Sequence, residues 1–242
     1  MDTDALSCQW CVENVKVLAM QILAQLCESF TLACGRIRSA RRVSFKDKES
    51  VYIGREPGIT YVIKRGYVRL VYVQPDGRPW TRMVFGKGAL FGDLPFRPAA
   101  FLSEEQAVST GASCVWEIER EELERHAEAN ADFQLLLLKT VSSQFQFLDR
   151  RIQWQLISPL RNRVAMALAD LLCFAGGRCG HGHLVDVRLT HAEFSQFVVA
   201  ARPAVSEILK EFKATGIIDY TRSYLCLLDL EALHAIAELA QK

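Results

Sequence analysis

The chain has 242 residues, half of them hydrophobic and about a quarter charged, enough for one large or two small domains with cores of their own. A formal net charge of +1 excludes a polybasic tail or a protein held to a membrane surface by charge, but leaves room for a local patch that binds nucleic acid. The opening MDTDALS is acidic and polar rather than a secretory signal, and the run VKVLAMQILAQLC is too short to span a bilayer; a cytoplasmic location and no membrane partner are expected.

Residues 8–34 read as helical. Cys8 and Cys11 there continue the apolar stripe of Val15, Ala19, Ile22 and Leu26, so a helix face alone would bury them. From Arg42 to Ile118 the pattern changes to short runs that alternate apolar and polar residues. These are SVYIG (50–54), ITYVIKRG (59–66), YVRLVYV (67–73), WTRMVFG (80–86) and ASCVWEIE (112–119), with QPDGRP as a hairpin turn. Closely spaced strands of this kind make a small barrel or sandwich.

Between Asp132 and Ile157 there is no Gly or Pro. Leu138, Val141, Phe145, Leu148 and Ile152 alternate steps of three and four, an a/d seam about two heptads long. Two readings stand open: a helix packed on its own domain, and a helix that pairs with a second copy. Ser158-Pro159 breaks the helix at a domain border, which favours the second. A further helix, PLRNRVAMALADLLCFA, ends at Gly176-Gly177. The loop GGRCGHGH then leads into LVDVRLT, a short strand. Cys179, His181 and His183 in that loop are metal-ligand types on a glycine-rich connector.

In LTHAEF, Thr190 and Glu193 are spaced for a capping box, and Leu189 and Phe194 for a hydrophobic staple, so a helix starts at His191. After a turn at Val199–Ala201 a second helix opens with Arg202 and Pro203 and carries Val205, Ile208, Leu209 and Phe212 on one face. TGIIDYTRSYLCLLD reads as two strands folded about Thr221-Arg222-Ser223. Helix, tight turn, helix and hairpin make a winged helix-turn-helix, whose second helix enters the DNA major groove. Arg202 is placed for bidentate contact with guanine, and Lys210 and Lys213 for phosphates. A helix hairpin that binds protein has the same pattern. Residues 158–242 hold nine Lys/Arg and nine Asp/Glu, so bulk charge does not decide. No G-x-S-x-G, H-E-x-x-H or P-loop spacing appears, and no enzyme is expected.

The order from residue 42 to 242 resembles the Crp/Fnr family of bacterial transcription regulators. The stretch YVIKRGYVRLVYVQPDGRPWTRMVFGKGALFGDL matches the family's strand, Gly66, hairpin, Gly88 and G-[DE]-L pattern. LTHAEFSQFVVAARPAVSEILKEFKATGII matches its signature through the recognition helix. The resemblance implies an α+β fold with an N-terminal β-roll like a double-stranded jelly roll, a long dimerisation helix and a C-terminal winged helix-turn-helix. Its parts are a helical segment with cysteines (1–41), an effector-sensing roll (42–129), the dimerisation helix (130–157) and the DNA-binding domain (158–242). It further implies a homodimer on a pseudo-palindromic double-stranded DNA site, with RNA polymerase as partner. DNA would be met by Arg202, Pro203, Ser206, Glu207, Lys210 and Lys213, and by Arg222 on the wing. The effector pocket would take in Gly92, Asp93, Leu94 and Leu148.

The sequence also departs from the family. Its usual recognition helix opens Arg-Glu-Thr-Val-Ser-Arg, and here only the first arginine is kept, with Glu207 in the place of the second. A carboxylate there accepts from a cytosine amino group but repels phosphate. Val199 replaces the glycine common in the turn, where a β-branched residue tolerates positive φ badly. Ser103 and Glu104 stand where cyclic AMP-binding members hold the phosphate with Arg-Ser, so cyclic AMP is not the expected effector. Fnr-type members bind a [4Fe–4S] cluster through four cysteines, and QLCESFTL around Cys27 resembles the segment bearing one of them. Cys8, Cys11, Cys27, Cys34 and Cys114 are the candidates, although fifteen residues separate Cys11 from Cys27 and Trp116 occupies the place of the fourth ligand. The readings left open are a redox or gas sensor, a sensor of another small molecule in the roll, and a ligand-binding module that has lost specific DNA binding.

Overall fold

Two fifteen-residue strands, β3 (Ile59–Val73) and β6 (Glu105–Glu119), pair antiparallel along nearly their whole length and form the spine of the N-terminal half. The computed structural model describes residues 24–54, 58–74, 76–96, 105–180, 182–221 and 225–238 (side chains excepted at 173–175, 177–179 and 238). Around the spine lie β1 (Arg41–Phe45), β2 (Ser50–Ile53), β4 (Pro79–Phe85) and β5 (Leu90–Gly92). The sheet runs β1-β6-β3-β4, with β2 on β6 and β5 on β3. The α+β class expected from the sequence is the one found.

The strands expected at 59–66 and 67–73 are one element. Gly66, at φ +81°, sits where the β3–β6 register shifts, and a Cβ there would stand 2.4 Å from the Ala112 carbonyl oxygen. The glycine therefore lets β3 bend and pass close to β6 rather than end. Strands β1 and β5 were not anticipated, one because it opens on two arginines and the other because three residues carry no period.

The inner faces of the roll close on Tyr52, Tyr61 and Phe91, whose rings stack with centroids 5.3–6.2 Å apart. Outside the sheet, a helix over 24–34 (α1), α2 (Arg120–Ala129) and α3 (Ala131–Ile157) build a second core from Phe30, Leu123, Phe133 and Leu137 against Val62 and Ile118. Helix α2 was not foreseen, because REELERHAEA has too few apolar residues to show a stripe. Asn130 caps α3 by accepting from the Phe133 amide at 3.1 Å.

Helix α3 does not bury its seam on its own domain. Leu138, Val141, Phe145 and Ile152 are all exposed, Phe145 at 67%. Leu148 alone of the five turns inward, with Phe147, onto the core of the roll.

After Ser158-Pro159 comes α4 (Leu160–Ala175). The stretch expected as the loop GGRCGHGH is instead a hairpin, β7 (Gly176–Cys179) and β8 (Gly182–Val185), because β8 finds a partner in the wing and is held from both sides. The remainder is α5 (His191–Val198), α6 (Arg202–Ala214), β9 (Ile218–Tyr220), β10 (Leu225–Leu227) and α7 (Leu230–Glu238), with sheet order β7-β8-β10-β9. Val164, Leu168, Phe194, Phe197, Val205, Leu209 and Phe212 fill this unit, and Val84 of β4 and Trp154 of α3 belong to the same core. The C-terminal unit is thus packed onto the roll and the long helix. No described helix is long and apolar enough to cross a membrane.

Candidate nucleic-acid interface

Helix α5 begins where the sequence places it. The Glu193 amide donates to Thr190 Oγ1 at 3.2 Å, and the Thr190 amide donates to Glu193 Oε2 at 2.8 Å, a complete capping box. Val199 then adopts φ +57°, ψ +59°. The turn keeps the left-handed residue that a glycine would supply, so the β-branched side chain strains the turn without reshaping it. Arg163 of α4 donates to the carbonyl oxygens of Val198 at 3.4 Å and Val199 at 3.3 Å and braces the corner.

Helix α6 buries Val205, Leu209 and Phe212 and leaves Arg202, Pro203, Glu207 and Lys210 exposed, with Ser206 half-buried among them. Arg202 has no partner among the described residues and stands at the helix start, where a long cation reaches a base edge. Ser206 Oγ lies 3.1 Å from His191 Nδ1, and the His191 ring meets Tyr220 edge-on. Lys210 Nζ pairs with Glu207 Oε1 at 2.8 Å, and that bond holds Lys210 above its usual value. Lys213 is placed differently from its neighbours. It pairs with Asp219 at 2.7 Å, donates to the Tyr220 carbonyl at 3.1 Å and lies over the Tyr220 ring, so it ties α6 to the wing. Arg222 lies outside the described residues.

Among the described residues, the four expected pocket residues have different neighbours. Asp93 accepts from the Gly58 amide at 2.9 Å and pairs with Arg120 at 3.4 Å, a clasp between loops. Gly92 backs onto the Tyr61 ring. Leu94 packs with the α1–α3 core and Leu148 with the roll core. Ser103 and Glu104 lie outside the described residues. Sequence reading missed a largely apolar groove between α1, the β4–β5 turn and α3, touched by Leu26, Cys27, Gly86, Thr140, Gln144 and Phe147. Gln144 marks it, since its amide bonds both the N–H and the C=O of Leu90, at 3.0 and 2.9 Å, as a strand neighbour would.

The cysteines scatter. Cys34 is sealed in the α1–α3 core, and burial pushes its thiol well up. Cys27 is half-buried beside Gly88, and burial raises it too, against the pull of Lys87. Cys114 is buried in β6; Cys8 and Cys11 lie outside the described residues. No three metal-ligating side chains gather among the described residues. Among the described residues Cys27, Cys34 and Cys114 form no such group, and a thiol held neutral by its core is a poor ligand.

A Crp-like helix-turn-helix domain matches residues 162–236. The chain is 28% identical to the transcriptional regulator LdrP of Thermus thermophilus over 196 residues, 78% of this chain and 93% of that one. It is 26% identical to a CRP-like cAMP-activated global transcriptional regulator of Mycobacterium tuberculosis, over 79% of this chain and 85% of that one. Among solved structures, FixK2 of Bradyrhizobium japonicum superposes with a TM-score of 0.70 at 18% identity, over 81% of this chain and 96% of that one, a likeness of fold.

Proposed function

The chain belongs to the Crp/Fnr family of bacterial transcription regulators, and from that membership we propose that it is a cytoplasmic homodimer that reads a pseudo-palindromic DNA site with α6, under control of an effector sensed by the roll. Its relatives are regulators rather than enzymes. The observation that carries the reading is α6 itself. Its apolar face is used up inside the unit, while Arg202 stands exposed at its start with no partner among the described residues. Such a helix, preceded by a capped helix and a left-handed turn and followed by a wing, has the geometry of a major-groove reader.

The exposed seam of α3 supports the dimer, since apolar side chains in that number are rarely left to water. Two copies would then present α6 to successive major grooves, with RNA polymerase recruited or blocked at the bound promoter. Cyclic AMP, which activates the mycobacterial relative, is not the effector proposed here. Glu104 in the sequence stands at the phosphate position and would repel it. The inside of the roll is also occupied by the stacked rings of Tyr52, Tyr61 and Phe91. A [4Fe–4S] cluster needs four thiolates, and with Cys34 in the core no step is assigned to one. The signal is read as a small molecule bound to the roll, with the groove beside Cys27 and Gln144 as its site.

The test is enrichment of a binding site from random duplex DNA by the full-length protein, followed by titration of Arg202→Ala. The variant is expected to lose about 1–3 kcal/mol at the enriched site and to relax the preference at one base pair per half-site. Unchanged specific binding by Arg202→Ala would remove α6 as the reading helix.

A further inference from the structure

The connection between α3 and α4 is short, with Ser158 in extended conformation at φ −95°, ψ 141° followed by Pro159. A link of that kind lets the C-terminal unit swing about the end of the long helix. Two guanidiniums prevent it. Arg151 on α3 donates to the Phe197 carbonyl oxygen of α5 at 2.6 Å, to the Thr81 carbonyl oxygen of β4 at 2.7 Å, and to the Arg82 carbonyl oxygen. Its guanidinium carbon lies 4.0 Å from the Phe197 ring centroid. Arg69 on β3 donates to Gln196 Oε1 at 2.8 Å and Thr81 Oγ1 at 3.1 Å, and pairs with Glu193 Oε1 at 3.2 Å. Both arginines are nearly closed to solvent.

The bonds of Arg151 to Phe197, and of Arg69 to Gln196 and Glu193, join α5 to elements outside its own unit, while the bonds to Thr81 and Arg82 tie both guanidiniums to β4. Arg151 reaches α5 from the helix that carries the exposed seam Leu138, Val141, Phe145 and Ile152. Six residues separate Arg151 from the break at Ser158, and its reach past that break fixes the unit against α3 at a second point. A body held at two points cannot pivot about either. Meanwhile α6 keeps its outer face clear, so the clamp does not compete with DNA.

We propose that Arg151 and Arg69 are positioning residues for DNA reading: they set the angle of α5 and α6 against the dimer helix and thereby the half-site spacing that the dimer accepts. This rests on α6 being the reading helix. Preorganisation of this kind sharpens discrimination because a site of the wrong spacing must break the clamp before both copies of α6 can dock. A freely pivoting unit would accept several spacings at similar cost.

The experiment uses the full-length protein and the site it enriches, with one base pair inserted or deleted between the half-sites. For the wild type a spacing change is expected to weaken binding by about tenfold or more, and for Arg69→Met and Arg151→Met by less than about threefold, because unclamped units adjust. Both variants should also bind the correct spacing more weakly, while their affinity for a single half-site is unchanged. Loss of stability alone would lower all of these affinities together. Arg69→Met leaves the core side chains in place, so it decides if Arg151→Met does not fold. A full spacing penalty in Arg69→Met overturns the clamp. Failure of the wild type to enrich any sequence overturns instead the reading of α6 on which it rests.

Discussion

The carbonyl oxygen of Val199 lies 3.3 Å from the Arg163 guanidinium, so the left-handed corner of the helix-turn-helix is held from α4. Among the described residues three non-glycine residues have positive φ, and Val199 is the β-branched one. An L-residue with a Cβ costs about 1–2 kcal/mol in that conformation, while glycine costs about 0.5–1 kcal/mol in lost backbone freedom. The Val199 side chain is 45% exposed and gives up little burial when removed. Val199→Gly is therefore expected to raise the unfolding free energy by up to about 1 kcal/mol, seen as a higher urea midpoint at unchanged slope. A lower midpoint would mean that the Cβ packing outweighs the strain.

The two lysines of α6 should separate in a salt titration. Lys210 stands on the outer face with Glu207, whereas Lys213 is taken up by Asp219 and Tyr220. Lys210→Ala removes a cation and leaves the Glu207 carboxylate uncompensated before the phosphates. It is expected to weaken binding to all sequences and to reduce the slope of log K against log salt by about one. Lys213→Ala should leave that slope nearly as it was and lower the melting temperature slightly, as the loss of an exposed ion pair does. A slope change in Lys213→Ala would show that this lysine leaves the wing for DNA.

Phe145 tests the seam. A phenylalanine brought from water into an apolar contact contributes roughly 1.5–3 kcal/mol, and a two-fold interface counts it twice. Phe145→Asp is expected to convert the dimer to monomer at micromolar concentration in sedimentation equilibrium, with the monomer still folded. Gln146→Asp, one residue along and exposed, should leave the dimer intact. A dimer that survives Phe145→Asp places the two-fold contact elsewhere.

The winged helix was legible in the sequence because each of its signals is local. The capping box needs only Thr190 and Glu193, and the helix faces need only the spacing of Phe194, Phe197, Val205 and Leu209. The seam of α3 was legible for the same reason, although its exposure became visible only in the burial of its side chains. What escaped depends on partners distant in sequence. Strand β7 exists because β8 is held by β10. Lys213 and Lys210 look alike in sequence, and only the place of Asp219 tells them apart. The clamp was invisible, since nothing near Arg69 or Arg151 announces that Glu193 and Phe197 fold against them. The contacts of Gly92-Asp93-Leu94 were out of reach on the same ground: Asp93 meets Gly58, and Leu94 packs with the α1–α3 core.

Cys34 gives a pH test of the α1–α3 core. Its thiol is fully buried and pushed up by burial, while in the unfolded chain it ionises near pH 8.5. Below that value both states hold the proton and the contribution to stability is whole. Above it the unfolded chain loses the proton and the folded chain keeps it, so stability falls by about 1.4 kcal/mol per pH unit from this group alone. Cys34→Ala lacks the titration and gives up only a small apolar volume. The difference in unfolding free energy between wild type and Cys34→Ala, measured in urea at pH 7.5 and at pH 9.5, is expected to shift by about 1 kcal/mol against the wild type. Mass mapping after iodoacetamide at pH 8 should find Cys34 unmodified in the native protein. Ready alkylation there, or a difference that does not move with pH, would put Cys34 in contact with solvent and return it to the set of reactive thiols.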